Sequence, residues 1–198
     1  MAWKPDYATS ADLKAYLRIG DVVDDAQIAL AITAASRAID RNTKRQFGLV
    51  DAPEARKYTA RWDCNRGRYV VRIDDLMTQV GLTITTAAGA VDVFALKPAN
   101  AALEGRPWTL IVVDPTSAVK PTTLEDAVTV TAKFGWTAVP ATVKEATLLQ
   151  ASRLFKRRDA PFGVAGSPEL GSELRLLAKV DPDVHVMLSD YRLDWGAV

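Results

Sequence analysis

Histidine, cysteine and net charge are all scarce in this 198-residue chain, and each scarcity closes off a class of function. A single histidine, His185, excludes a His-built zinc or facial-triad site, because such sites need two or more imidazoles at fixed spacing. A single cysteine, Cys64, excludes an internal disulfide and fits folding in a reducing compartment. Lys plus Arg number 25 against 24 Asp plus Glu, so no overall field marks a nucleic-acid or membrane binder, and any basic function has to be local. No run approaches the roughly 20 apolar residues that span a bilayer, and the start, Met1-Ala2-Trp3-Lys4-Pro5-Asp6, lacks the apolar centre of a secretion signal. The expectation is a soluble protein that is not secreted. A P-loop, a G-x-G-x-x-G turn, G-x-S-x-G, H-E-x-x-H and C-x-x-C are all missing. The expectation is therefore no cofactor, no metal and no enzymatic activity.

What is present is enough apolar content, 48%, for a sizeable core. Thr9 to Asp12 has the form of a capping box, and Leu13, Tyr16 and Leu17 follow at helical spacing. After Asp24-Asp25, which offers a cap and acidic charge at a helix start, Ile28, Ile32, Ala35 and Ile39 fall on one stripe. The opposite side carries Arg37, Arg41 and Lys44, with Asp40 four residues before Lys44 for a surface pair. The period then changes to alternation, predicting strands at 56–61, 68–73, 80–86, 91–96, 108–113 and 127–134. Gly89 supplies the positive φ that a hairpin between 86 and 91 wants. Segments 98–107 and 114–123 are long, Pro-containing connections and candidate contact surfaces. Helix returns at Pro140, placed here at the first helical position, with Val143, Thr147, Ala151 and Leu154 as its stripe and Leu148 and Phe155 widening it. It runs into Lys156-Arg157-Arg158, and Pro161 and Gly163 forbid continuation. Asp181-Pro182-Asp183 reads as the cap and first turn of a last helix to about Tyr191.

The fold class expected is α+β: a helical core with long helices near 24–44 and 140–158, short terminal helices, and an inserted antiparallel β module. The division expected is 1–55 as the N-terminal part of the core, 56–134 as the β-rich insertion, and 135–198 as the C-terminal part, with a mobile loop at 160–172.

Few residues invite a chemical reading. Asp24-Asp25 and Asp74-Asp75 are adjacent carboxylates, which point different ways and serve as caps and turns. His185 lies among Val184, Val186 and Met187 as a packing histidine, and Cys64 is a free thiol in a turn. A small hydrolase or ligand-binding domain using Asp74, Asp75 or His185 would need a concave site that nothing in the sequence supplies. Lys156-Arg157-Arg158 admits two readings, a helix end stabilised by cations or a site for phosphate or an acidic protein surface. Arg37, Arg41 and Lys44 form a solvated helix face or, in a ring, a channel lining. Trp136 is an anchor between strand and helix or an exposed contact.

Four stretches together carry a likeness: 7–17, Tyr-Ala-Thr-Ser-Ala-Asp-Leu-Lys-Ala-Tyr-Leu; 34–40, Ala-Ala-Ser-Arg-Ala-Ile-Asp; Phe134-Gly135-Trp136 through Val139-Pro140; and 151–166, Ala-Ser-Arg-Leu-Phe-Lys-Arg-Arg-Asp-Ala-Pro-Phe-Gly-Val-Ala-Gly. The chain resembles the head-to-tail connector, or adaptor, proteins of long-tailed double-stranded-DNA phages, especially those of actinobacteria. The likeness covers the helical frame at both ends and only loosely the region 56–123. It implies a dodecameric ring beneath the portal that extends the DNA channel, with no catalytic residues to carry over. It implies as partners further copies of the chain, the portal protein, a tail-side neck or stopper protein, and genomic DNA passing without sequence readout. The place implied is the virion neck, after synthesis in the bacterial cytoplasm. The family's C-terminal region docks on the portal, which would put 181–198 at that contact. Candidate assembly contacts are then Trp136, Lys156, Arg157, Arg158, Phe162, Tyr191 and Trp195, with Arg37, Arg41 and Lys44 as candidate channel-facing residues. Another neck or tail-completion protein of the same virion is the alternative, distinguished by the ring it binds.

Overall fold

The computed structural model describes residues 5–157, 164–165, 174–175 and 181–193, and the chain divides into two compact units. The helical unit comprises Ala2–Phe47 with Val139–Val198, and the sheet unit comprises Gly48–Ala138.

In the helical unit, α1 (Ser10–Leu17) starts with a complete capping box. Thr9 Oγ1 accepts from the Asp12 amide at 3.2 Å, and Asp12 Oδ2 accepts from the Thr9 amide at 2.9 Å. Next, α2 (Asp25–Thr43) buries the expected stripe of Ile28, Ile32, Ala35 and Ile39. The expected cap from Asp24 is corrected: ψ is 11° at Asp24, not the extended value that carries a carboxylate over first-turn amides, and its side chain makes no capping hydrogen bond. Asp25 pairs instead with Lys14 of α1. The central helix, α3 (Ala141–Lys156), starts one residue later than expected, with Pro140 as N-cap, its extended ψ of 143° keeping it outside the helix. Val143, Ala146, Thr147 and Ala151 of α3 are fully buried, and the Thr147 hydroxyl donates to the Val143 carbonyl at 2.7 Å, which satisfies it inside the core. Leu13, Ile28, Ile32, Ala35, Leu148 and Ala151 meet in a common cluster, so α1, α2 and α3 share one core.

The last described segment closes this unit. Asp181 caps α4 (Pro182–Met187), accepting from the Asp183 amide at 2.9 Å, and pairs with Arg153 of α3. A single 3-10 turn, Ser189–Tyr191, follows, and the Leu193 amide donates to the Thr43 carbonyl at the end of α2 at 2.9 Å.

The sheet unit is built from β1 (Glu54–Tyr58), β2 (Ala60–Asp63), β3 (Arg68–Leu76), β4 (Thr83–Thr86), β5 (Gly89–Ala90), β6 (Phe94–Lys97), β7 (Trp108–Val113) and β8 (Val128–Ala132). They form two antiparallel four-stranded sheets, β1-β8-β4-β5 and β2-β3-β7-β6. The strand expected at 56–61 is thus two strands, broken at Thr59 where the chain passes from one sheet to the other. Between the sheets lie Val71, Ile73, Leu76, Ile84, Ile111, Val113, Val128, Val130 and Phe134. The alternation expected of the last strand holds: Val128, Val130 and Ala132 are buried, while Thr129 and Thr131 are half-exposed. The start expected at 80 moves to Thr83 because Gly81 turns the chain at φ +75°.

The two ends of the sheet unit run side by side. The Val50 amide donates to the Phe134 carbonyl at 3.0 Å and the Trp136 amide to the Gly48 carbonyl at 3.1 Å. Gly135, at φ +111°, donates to the Asp75 carbonyl, and no side chain fits there: a Cβ would lie 1.8 Å from the Gly48 oxygen. Outside both units' main elements, β9 (Val164–Ala165) pairs antiparallel with β10 (Leu174–Arg175). The rest of the expected loop at 160–172 lies outside the described residues.

Candidate assembly surfaces

Trp136 is 5% exposed, and its indole Nε1–H donates to Asp75 Oδ2 at 2.8 Å. The ring anchors the junction where the chain leaves the sheet unit. Asp74 takes Arg56 at 2.7 Å and the Tyr58 hydroxyl at 2.8 Å. Arg56 also meets Glu54 at 2.9 Å and lies 4.3 Å over the Phe134 ring. Burial works against the Arg56 charge, yet the bonds to Asp74 and Glu54 outweigh it and raise its pKa. Burial and then the Asp74 charge push the Tyr58 hydroxyl well above its ordinary value. Both members of the carboxylate pair are thus occupied by their own sheet unit.

Arg37 is engaged within the helical unit. Its Nε lies 3.2 Å from Asp40, its Nη2 donates to the Pro5 carbonyl, and its guanidinium stands 5.8 Å from the Tyr7 ring centre. Tyr7 donates to Asp40, accepts from the Phe47 amide at 2.9 Å, and packs edge-on against Phe47. Burial, then the bond to Asp40, raises its pKa strongly. Asp40 is therefore engaged with Arg37 and Tyr7, and the expected partner Lys44 has left the helix, sitting at a left-handed C-cap with φ 56°. Arg41 and Lys44 are exposed. Tyr191 is half-buried, edge-on to Phe47 with ring centres 5.6 Å apart. Lys156 is exposed in the last turn of α3, and Arg157 is half-buried at its C-cap. Arg158, Phe162 and Trp195 lie outside the described residues. His185 is exposed, with Nε2 3.4 Å from Arg192 Nη1, and Cys64 is exposed in the turn between β2 and β3.

Two surfaces escaped the sequence reading. One is the loop before α2, where Val22 and Val23 are 74% and 82% exposed between Asp21 and Asp24; Leu30, 70% exposed, continues it along α2. The other is the outer face of the sheet β2-β3-β7-β6. Ala60, Val71, Ile73, Ile111 and Val113 point into the sandwich, so their strand neighbours point out. Across the strands, Arg61 pairs with Val70, Val70 with Val112 and Val112 with Ala95, and beside that row Arg72 pairs with Leu110 and Leu110 with Lys97. Arg68 completes the rim next to Asp63. Arg61, Arg72 and Lys97 make no ion pair among the described residues. The alternation of the strands contained the signal, but only the strand order places these cations on one face.

The fold has a counterpart among solved structures. One chain from the neck of an empty gene transfer agent particle, computed with C6 symmetry, aligns over 95% of this chain and 91% of its own length, at 20% identity and a TM-score of 0.53. A chain from the virion of a native gene transfer agent particle aligns over 100% and 96%, at 18% identity and a TM-score of 0.47. No protein-family profile and no curated protein sequence matches the chain.

Proposed function

We propose that this chain is a structural neck protein of a phage-like particle, and within that class a head-to-tail connector: a ring under the portal that extends the DNA channel and joins head to tail. The observation that carries this reading is the likeness of fold to a neck chain, extending over nearly all of both chains. The helical frame that supports the resemblance in sequence is the same frame that forms the helical unit here. The neighbour's neck was computed with C6 symmetry, under which chains off the axis occur in multiples of six. A dodecamer satisfies that count.

In this reading the near-neutral chain handles DNA without reading it, since passage needs only a weakly basic lining and no base contacts. Arg41 and Lys44, exposed at the end of α2, are the residues proposed to face the channel. Lys156 and Arg157 at the end of α3, with Arg158 beyond, are proposed to contact the portal or the tail-side ring. The aspartates nominated for a hydrolase are engaged with Arg56, Tyr58 and Trp136, which favours the structural reading.

The test is electron microscopy of the purified chain mixed with its portal protein, beside light scattering of each alone. Rings on the portal are expected. Absence of rings, alone and on the portal, would sink the connector reading, and rings that bind only a tail-side component would reassign the chain to another neck position.

A further inference from the structure

We propose that the loop Asp21-Val22-Val23-Asp24 of one copy seats on the outer face of the β2-β3-β7-β6 sheet of the next. This inference rests on the ring reading and specifies the contact that would build the ring. Scattered exposed apolar residues need no explanation, but here two adjacent valines stand at the tip of a loop flanked by carboxylates. The tip has a defined shape. Asp21 Oδ1 accepts from the Val23 amide at 3.1 Å, and the Asp25 amide donates to the Val22 carbonyl at 3.4 Å.

The sheet face offers the complement. Val70 and Leu110, both half-exposed, form its centre beside Val112, which is only 9% exposed, and Arg61, exposed, with Arg72 and Lys97, half-buried, stand around them without an ion pair among the described residues. An apolar centre with a charged, Arg-rich rim is the anatomy of a protein interface. DNA would meet the cations but leave the central valines and leucine against phosphates, so the centre favours protein over nucleic acid. Neither surface suits a copy of itself, because like charges would face each other. Loop on sheet is therefore a heterologous contact, the kind that generates rings when the rotation closes. Opposite charge also sets the register, with Asp21 of the loop over the basic rim.

The test uses full-length chains carrying Cys64→Ser. Val23→Cys and Ala95→Cys variants are made separately, mixed under mild oxidation and run on a non-reducing gel. A disulfide-linked dimer in the mixture and none from either variant alone is expected. In parallel, Asp21→Asn, which keeps the oxygen that accepts from the Val23 amide but removes the charge, and Arg72→Glu should each weaken self-association severalfold, and the two changes in one chain should cost less than the sum of the two. Lys97→Glu serves as a second reversal, and unchanged circular dichroism shows that the substitutions, at exposed Asp21 and half-buried Arg72 and Lys97, leave the fold intact. If the unaltered chain forms rings but the reversals have no effect and no mixed dimer forms, this contact is wrong while the connector reading stands. If Arg72→Glu abolishes retention on duplex DNA and leaves self-association untouched, the face belongs to DNA and the proposal falls. If the unaltered chain does not self-associate alone or on its portal, both fall.

Discussion

Trp136 and Asp75 show how a single polar contact holds a junction. The Asp75 carboxylate is buried, and the indole N–H supplies one of its hydrogen bonds, so removing the donor leaves part of a desolvated charge uncompensated. Trp136→Phe keeps the apolar bulk and should lower stability by about 1–3 kcal/mol, read from the urea midpoint. Asp12 makes a second prediction. The Lys144 hydrogen bond and those of Thr9 hold its carboxyl down at about 2, against an ordinary 3.8. A carboxylate with a depressed folded pKa stabilises above its unfolded value and loses that contribution as pH falls through the folded one. Asp12→Ala should therefore be less stable than the parent by about 0.5–1 kcal/mol at neutral pH. Thermal melts should show the gap closing between about pH 4 and pH 2.

Among elements, α2 and α3 were the most legible, because a stripe of period 3.6 over four or more turns leaves little freedom of interpretation. Their ends were harder, since Asp24 and Pro140 differ from the expectation only in ψ, which sequence does not display. In the sheets, Arg56, Tyr58 and Ala60 alternate without interruption, so no local pattern marks Thr59 as the crossing between sheets. The strand order puts β7 between β3 and β6, and the basic outer face exists only through that non-local order. The Tyr7–Asp40 bond, between residues 33 apart in the chain, was hidden for the same reason. Gly135 is where element geometry is most exacting. Gly135→Ala would combine φ +111° with a Cβ 1.8 Å from the Gly48 oxygen, and should prevent the sheet unit from folding. Gly105→Ala is the control: Gly105 also has positive φ, +64°, but open space around it, so its cost should stay near 1–2 kcal/mol by calorimetry.

At the scale of the molecule, each unit has its own core, and the ends of the sheet unit lie together through the Leu49–Gly135 bridge. Residues 48–138 expressed alone should fold cooperatively, with a β-type circular dichroism spectrum and a single thermal transition. A spectrum of unfolded chain would show that the sheets depend on the helical frame. The central claim is that copies of this chain close into a ring of the neck. Native mass spectrometry of the complex formed on the portal tests it most directly, because it counts chains. The account predicts a closed ring of twelve chains, the copy number proposed. A chain that remains monomeric in the portal's presence, or binds it in any other number, would contradict it.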